Sequence, residues 1–99
     1  MLVTITKEHF ASATEYIDIN NCPLAIAAKE LFPGKLVSVG SSTLTLNHKR
    51  HLINWFINEE EISEEILSND GIADQMNLFI SDAKQGKEVG LVQVEIPSL

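Results

Sequence analysis

The chain is poor in basic residues. Its 99 residues hold 7 Lys and Arg against 14 Asp and Glu, a formal net charge of −7. Phosphate backbones and anionic membranes are bound through Lys and Arg, so direct contact with DNA, RNA or a membrane surface is disfavoured. Cysteine is scarcer still. Cys22 is the sole thiol, which excludes an internal disulfide framework. No window approaches the roughly 20 consecutive apolar residues of a membrane span. The start, Met1 to Lys7, lacks the basic region and long apolar core of a signal peptide. A cytoplasmic protein is the expectation from these absences. A long linker, an internal repeat and a low-complexity tract are also missing, so residues 1–99 read as one domain with a single modest core.

What is present is organised around the stretch from Cys22 to Leu46. Pro23 suits the first position of a helix, where its missing N–H costs nothing and its fixed φ helps. Asn21 or Cys22 would be the N-cap, and Asn is the better capping residue. Between Leu24 and Phe32 only Lys29 and Glu30 are charged, the composition of a helix covered on most sides. Ala25, Ala27 and Ala28 keep that helix thin. Phe32-Pro33-Gly34 stops it, because the residue before proline leaves the α region and glycine accepts positive φ. The period then changes to two. Val37 and Val39 alternate with Leu36 and Ser38, and Leu44 and Leu46 with Thr43 and Thr45, around Gly40-Ser41. Gly40 as the first turn residue predicts a type II′ hairpin.

These residues also carry a resemblance. Cys22-Pro23-Leu24-Ala25 with Ala27, then Phe32-Pro33-Gly34 and Val37-Ser38-Val39-Gly40, resembles a family of small proteins of phages and mobile elements. Its members have a Cys-Pro helix, a Val-x-Val-Gly hairpin and a Phe-x-x-x-Asp-x-Gly ending. Phe79 to Val89 is similar to that ending, in a looser form. The resemblance covers the N-terminal half and the last quarter of the chain. It implies a phage or mobile-element origin and brings no known activity.

In chain order, Val3 and Ile5 alternate with Thr4 and Thr6 in a half-buried strand. Thr6 then caps a short helix with Phe10, Ala13 and Ile17 on one face. Asp18 to Asn21 is a turn cluster. His51 to Ile57 reads two ways. Leu52, Ile53, Phe56 and Ile57 fit a helical stripe, and Ile53, Trp55 and Ile57 fit one face of a strand. The strand is preferred because the similar phage proteins have one there. Glu59 to Asp74 contains seven carboxylates and no base, and so supplies the whole net charge. Ile62, Ile66 and Leu67 give this segment the seam of a short surface helix. Asn69-Asp70-Gly71 reads as a turn. Ile72, Met76, Phe79, Ile80 and Ala83 recur at helical spacing up to a stop at Gly86. Val92, Val94 and Ile96 alternate in a last strand.

The expected fold is α+β: a small, mainly antiparallel sheet of four or five strands with two main helices on one face. The strands are Leu2–Thr6, Leu36–Val39, Thr43–Leu46 and Leu91–Ile96, with a fifth at Leu52–Ile57. The helices are Pro23–Phe32 and Ile72–Lys84. Leu24→Ala and Leu31→Ala are expected to be the costliest changes at the first helix, then Gly34→Val, then Pro23→Ala.

No residue set amounts to a catalytic site, and no cofactor or metal is expected. Cys22 at a helix N-terminus would have a lowered pKa, but no histidine is marked as its base, and a buried structural cysteine is the favoured reading. His48-Lys49-Arg50-His51 is the one basic cluster. His48 and His51 fall short of the three or four ligands of a zinc site, so a solvated turn is favoured, with phosphate contact, weak against the overall charge, as the alternative. The acidic segment lacks an EF-hand pattern. A solvated face is its ordinary reading, and a partner-binding surface the functional one. The candidate residues are Glu59, Glu60, Glu61, Glu64 and Glu65, with Trp55 as an anchor, although core packing is the favoured reading of Trp55. The expected function is a non-enzymatic binding protein that docks on a host protein with a basic surface and inhibits a nucleic-acid-binding defence or regulatory factor. The alternative is a self-associating accessory protein, as a homodimer; a cysteine-dependent enzyme ranks last.

Overall fold

Thr6 is where the chain changes period. Leu2–Ile5 forms strand β1 with Val3 and Ile5 buried, and Thr6 caps helix α1, Lys7–Ser12. The cap is reciprocal: the Thr6 hydroxyl accepts from the His9 N–H at 3.4 Å, and the Thr6 N–H donates to His9 Nδ1 at 3.0 Å. An imidazole thus does what Glu or Gln does in the usual capping box. After the Asp18–Asn21 turn, helix α2 spans Pro23–Leu31 with Pro23 at its start. Its N-cap is Cys22 rather than Asn21, because the Asn21 side chain donates to Asp18 while Cys22 Sγ accepts from the Ala25 N–H at 3.4 Å. Leu24, Ala25, Ala27 and Ala28 are buried, as composition predicts. Leu31 is 48% exposed and corrects the expectation for that residue. Gly34 leaves the helix at φ +79°.

The computed structural model describes residues 1–16, 18–40, 43–62 and 70–97. Strands β2 (Val37–Val39), β3 (Thr43–Leu46) and β4 (Lys49–Leu52) form an antiparallel meander. The β2–β3 hairpin forms in the predicted register, with Val39 opposite Leu44. Its turn is not the predicted one. Gly40 is outside the positive-φ region and its N–H donates to the Thr43 carbonyl at 2.8 Å. Gly40 therefore closes the ladder, and the turn residues 41 and 42 lie outside the described ones.

Strands β5 (Asn54–Ile57), β6 (Glu60–Ile62) and β7 (Val92–Glu95) join β1 in a second antiparallel sheet, ordered β1-β7-β5-β6. The α+β expectation holds, with the strands divided between two sheets. The reason lies at Ile53. It is buried between β4 and β5, where the chain leaves one sheet for the other. The helical stripe read at Leu52–Ile57 is overturned by these strands. Glu60–Ile62, read as the start of a surface helix, is an edge strand because Ile62 pairs with Trp55; residues 63–69 of that reading lie outside the described ones. Helix α3 runs Asp70–Lys84, so Asp70 and Gly71, read as a turn, belong to its first turn.

One face of the four-stranded sheet carries Val3, Val94, Trp55 and Ile62 in a row, with Ile5, Val92 and Ile57 beside them. The buried residues of α1, α2 and α3 join this face in one core. Phe10 of α1 meets Phe79 of α3 edge to face, with centroids 5.5 Å apart. Helix α2 packs against β1 of one sheet and β2 of the other, and so forms the joint between them. Its three buried alanines permit that double approach.

Candidate functional site

The acidic hairpin β5–β6 is built by register. Ile57 faces Glu60, leaving Asn58 and Glu59 as a two-residue turn with φ of +53° and +70°. Positive φ at both positions is the type I′ pattern that matches strand twist. Asn tolerates this region. For Glu it costs about 1–2 kcal/mol, where glycine would cost little. The turn is clamped from behind. The Asn58 N–H donates to the Leu91 carbonyl at 2.7 Å. Gly90 lies so close that a Cβ there would come within 2.5 Å of Asn58 Oδ1 and 3.1 Å of Phe79 Cζ. The strained carboxylate is therefore held at the hairpin tip rather than relaxed.

Glu59, Glu60 and Glu61 are all exposed. Beside them opens a cleft of about 460 Å³, with Ile57, Ile62 and Ile72 as apolar walls and Glu60, Glu61 and Gln75 at the rim. Among the described residues, strand β6 is the terminal strand of its sheet. An apolar groove rimmed by carboxylates at a sheet edge suits a partner that brings extended backbone, apolar side chains and positive charge. Glu64 and Glu65 lie outside the described residues.

Trp55 does not belong to this surface. It is 1% exposed, on the core side of β5, with Tyr16 packed against it edge to face at 6.1 Å. The period-two alternation that made it part of a strand also points it inward, beside Val94 and Ile62. It is a core residue, the favoured reading of the sequence, and its candidate role as a partner anchor is overturned.

Cys22 is buried, and burial pushes its thiol pKa up. Hydrogen bonds from the Ala25 and Leu24 N–H groups act in the opposite direction and do not outweigh burial. The helix N-terminus thus fails to make a thiolate here. Among the described residues no imidazole hydrogen-bonds to this thiol. His9 is engaged elsewhere: its Nδ1 accepts from the Thr6 N–H, so Nε2 carries the proton and donates to Glu30 Oε2 at 2.8 Å. His9–Glu30 ties α1 to α2, a long-range link that sequence spacing gave no signal for. Among the described residues no three His, Cys, Asp or Glu side chains converge as a metal site would require. No described helix is long and apolar enough to cross a membrane.

The basic cluster forms the β3–β4 turn and the strand after it. Asn47 and His48 take φ of +49° and +70°, a second two-residue turn of the same type. The fold adds to it Phe32, which the sequence reading placed in a helix stop, and Lys35, just after that stop. No protein family, curated protein or solved structure matches the chain.

Proposed function

We propose that this is a small acidic binding protein, without an enzymatic activity of its own, that docks on a basic segment of a host protein. The observation that carries the reading is the acidic hairpin: Glu60 and Glu61 rim an apolar cleft beside the strand Glu60–Ile62, and Glu59 is exposed at the adjoining turn. A partner strand laid along β6 would gain backbone hydrogen bonds, and Lys or Arg on it would face the carboxylates. Like charges opposite one another are destabilising in a sheet, so the same edge rejects acidic strands, a second β6 included. The resemblance to phage and mobile-element proteins supports action inside a bacterial host. A factor that binds nucleic acid through a basic surface is the kind of target this chemistry fits, and occupying that surface would inhibit it.

The test is capture from a bacterial lysate by the full chain, followed by the same capture with Glu59→Gln, Glu60→Gln and Glu61→Gln combined. A specific basic partner, retained by the native chain and lost with the triple variant, is expected. Glutamine keeps side-chain length and leaves the turn strain unchanged, so folding should persist. Salt-sensitive capture that survives the triple change would refute the assignment of the hairpin.

A further inference from the structure

Two lysines without a partner among the described residues meet at one cleft. Lys7 and Lys29 donate to backbone carbonyls, of Gly86 at 3.2 Å and of Asn20 at 2.5 Å. Among the described residues neither Lys35 nor Lys49 has such a partner or a carboxylate beside it. Both line a cleft of about 350 Å³ with Phe32, Leu46, Asn47 and His51. Its size is that of a small-molecule site, at the lower end of roughly 300–1,000 Å³.

Every polar side chain lining this cleft can donate a hydrogen bond. The lysines have no acceptor. The Asn47 carboxamide oxygen is taken by the Leu36 N–H at 3.1 Å, which leaves its NH₂ to the cleft. His51 supplies an imidazole, and no carboxylate is present among the lining residues. Phe32 and Leu46 are half-buried and form the apolar walls. The frame is fixed before any ligand arrives. The Asn47 N–H donates to the Leu36 carbonyl at 3.0 Å, joining the segment of Lys35 to the hairpin of Lys49. The Lys35 N–H closes the helix stop on the Phe32 carbonyl at 3.2 Å.

We infer that this cleft binds a small phosphate monoester with a flat apolar body, of the class of a nucleoside monophosphate, its phosphate between Lys35 and Lys49 and its ring against Phe32. Two opposing fields have to be weighed. The C-terminus of α2 contributes a dipole of the wrong sign, equivalent to about half a charge, against two full ammonium charges. The net charge of −7 is felt only within a Debye length of about 8 Å at physiological salt. A polyphosphate chain running across the surface meets that acidic field along its length. A single phosphate seated between two lysines does not. The cleft is therefore suited to a free nucleotide and not to a nucleic-acid strand. This site is independent of the acidic hairpin.

The experiment is titration of the ¹⁵N-labelled full chain with adenosine 5′-monophosphate, followed by NMR. Resonances of Lys35, Asn47, Lys49 and His51 are expected to shift together. Adenosine and inorganic phosphate should each bind at least about tenfold more weakly. Lys35→Gln combined with Lys49→Gln should lose about tenfold or more, and Lys84→Gln should bind as the native chain does. A dispersed amide spectrum checks that the double variant is folded; if it is not, Lys49→Gln alone must show the loss. The proposal is overturned by shifts spread evenly over the protein, by adenosine binding as tightly as the nucleotide, or by variants with unchanged affinity. Phenyl phosphate binding more tightly than the nucleotide would assign the cleft to a phosphorylated aromatic side chain and also overturn it.

Discussion

Glu59 holds a φ of +70° at a turn position where Asn-Gly is the unstrained pair. Replacing it by glycine removes the Cβ clash and one carboxylate together. Glu59→Gly is expected to raise stability by about 1 kcal/mol in urea unfolding, while weakening partner capture. A strained residue at an exposed tip is the pattern in which stability and function pull apart. Tyr16 gives a second prediction at this scale. Burial, with a smaller contribution from neighbouring Cys22, pushes its pKa up from 10.0 to about 12. The unfolded chain therefore releases this proton first. The stabilising contribution is complete below the unfolded pKa and is lost as pH rises through the folded one. Stability should fall between roughly pH 10 and 12. Tyr16→Phe keeps the ring against Trp55 and should flatten that decline. Cys22 acts in the same direction from lower pH, since its ordinary value is 9.0 and burial raises it. An alkaline decline of unchanged slope in Tyr16→Phe would contradict the assignment.

Helix α2 is the element whose ends were most legible, and its energetics follow burial rather than composition. Leu24 is fully buried, and Leu24→Ala should cost about 2–5 kcal/mol. Leu31 is 48% exposed, and Leu31→Ala should cost less than about 1 kcal/mol. Pro23 is fully buried at the first helical position. Pro23→Ala gives up a pre-set φ and two buried methylenes, about 1–2 kcal/mol. Gly34 has open space around it and φ of +79°, so Gly34→Val meets backbone strain alone, about 1–2 kcal/mol. The expected order is Leu24, then Pro23 and Gly34 together, then Leu31. It differs from the order that composition suggests, in which Leu31 ranks with Leu24. Chemical denaturation of the four variants checks it. A cost at Leu31 equal to that at Leu24 would mean the C-terminal turn of α2 is covered.

For the whole molecule, charge is sorted by place. The carboxylates of Glu59, Glu60 and Glu61 cluster at one sheet edge, and Lys35, Lys49 and His51 gather at the end of the other sheet. Averaging these into one net charge of −7 hides both. Docking on the acidic hairpin should weaken steadily with ionic strength, since exposed charges are screened beyond about 10 Å at 0.1 M. Capture of the partner at low salt and its release at high salt, without unfolding, is the expected signature.

The sequence by itself determined the elements whose cues are local. Thr6, Pro23 and Gly34 fix helix ends through caps and φ preferences that act within a few residues, and the alternation in β1, β2, β3 and β7 specifies strands and their inward faces. The class α+β follows from these. What only the tertiary structure decided depends on partners distant along the chain. β7 pairs with both β1 and β5, and that choice draws Trp55 inward and recruits Glu60–Ile62 as an edge strand despite its polar composition. Burial of Ile53 breaks one apolar run into strands of two sheets. The meeting of Phe32 and Lys35 with Lys49 and His51 likewise depends on α2 sitting between the sheets. Local residues bias the backbone. Which surfaces meet is settled by burying apolar area from the whole chain at once, and both candidate sites lie where those surfaces end.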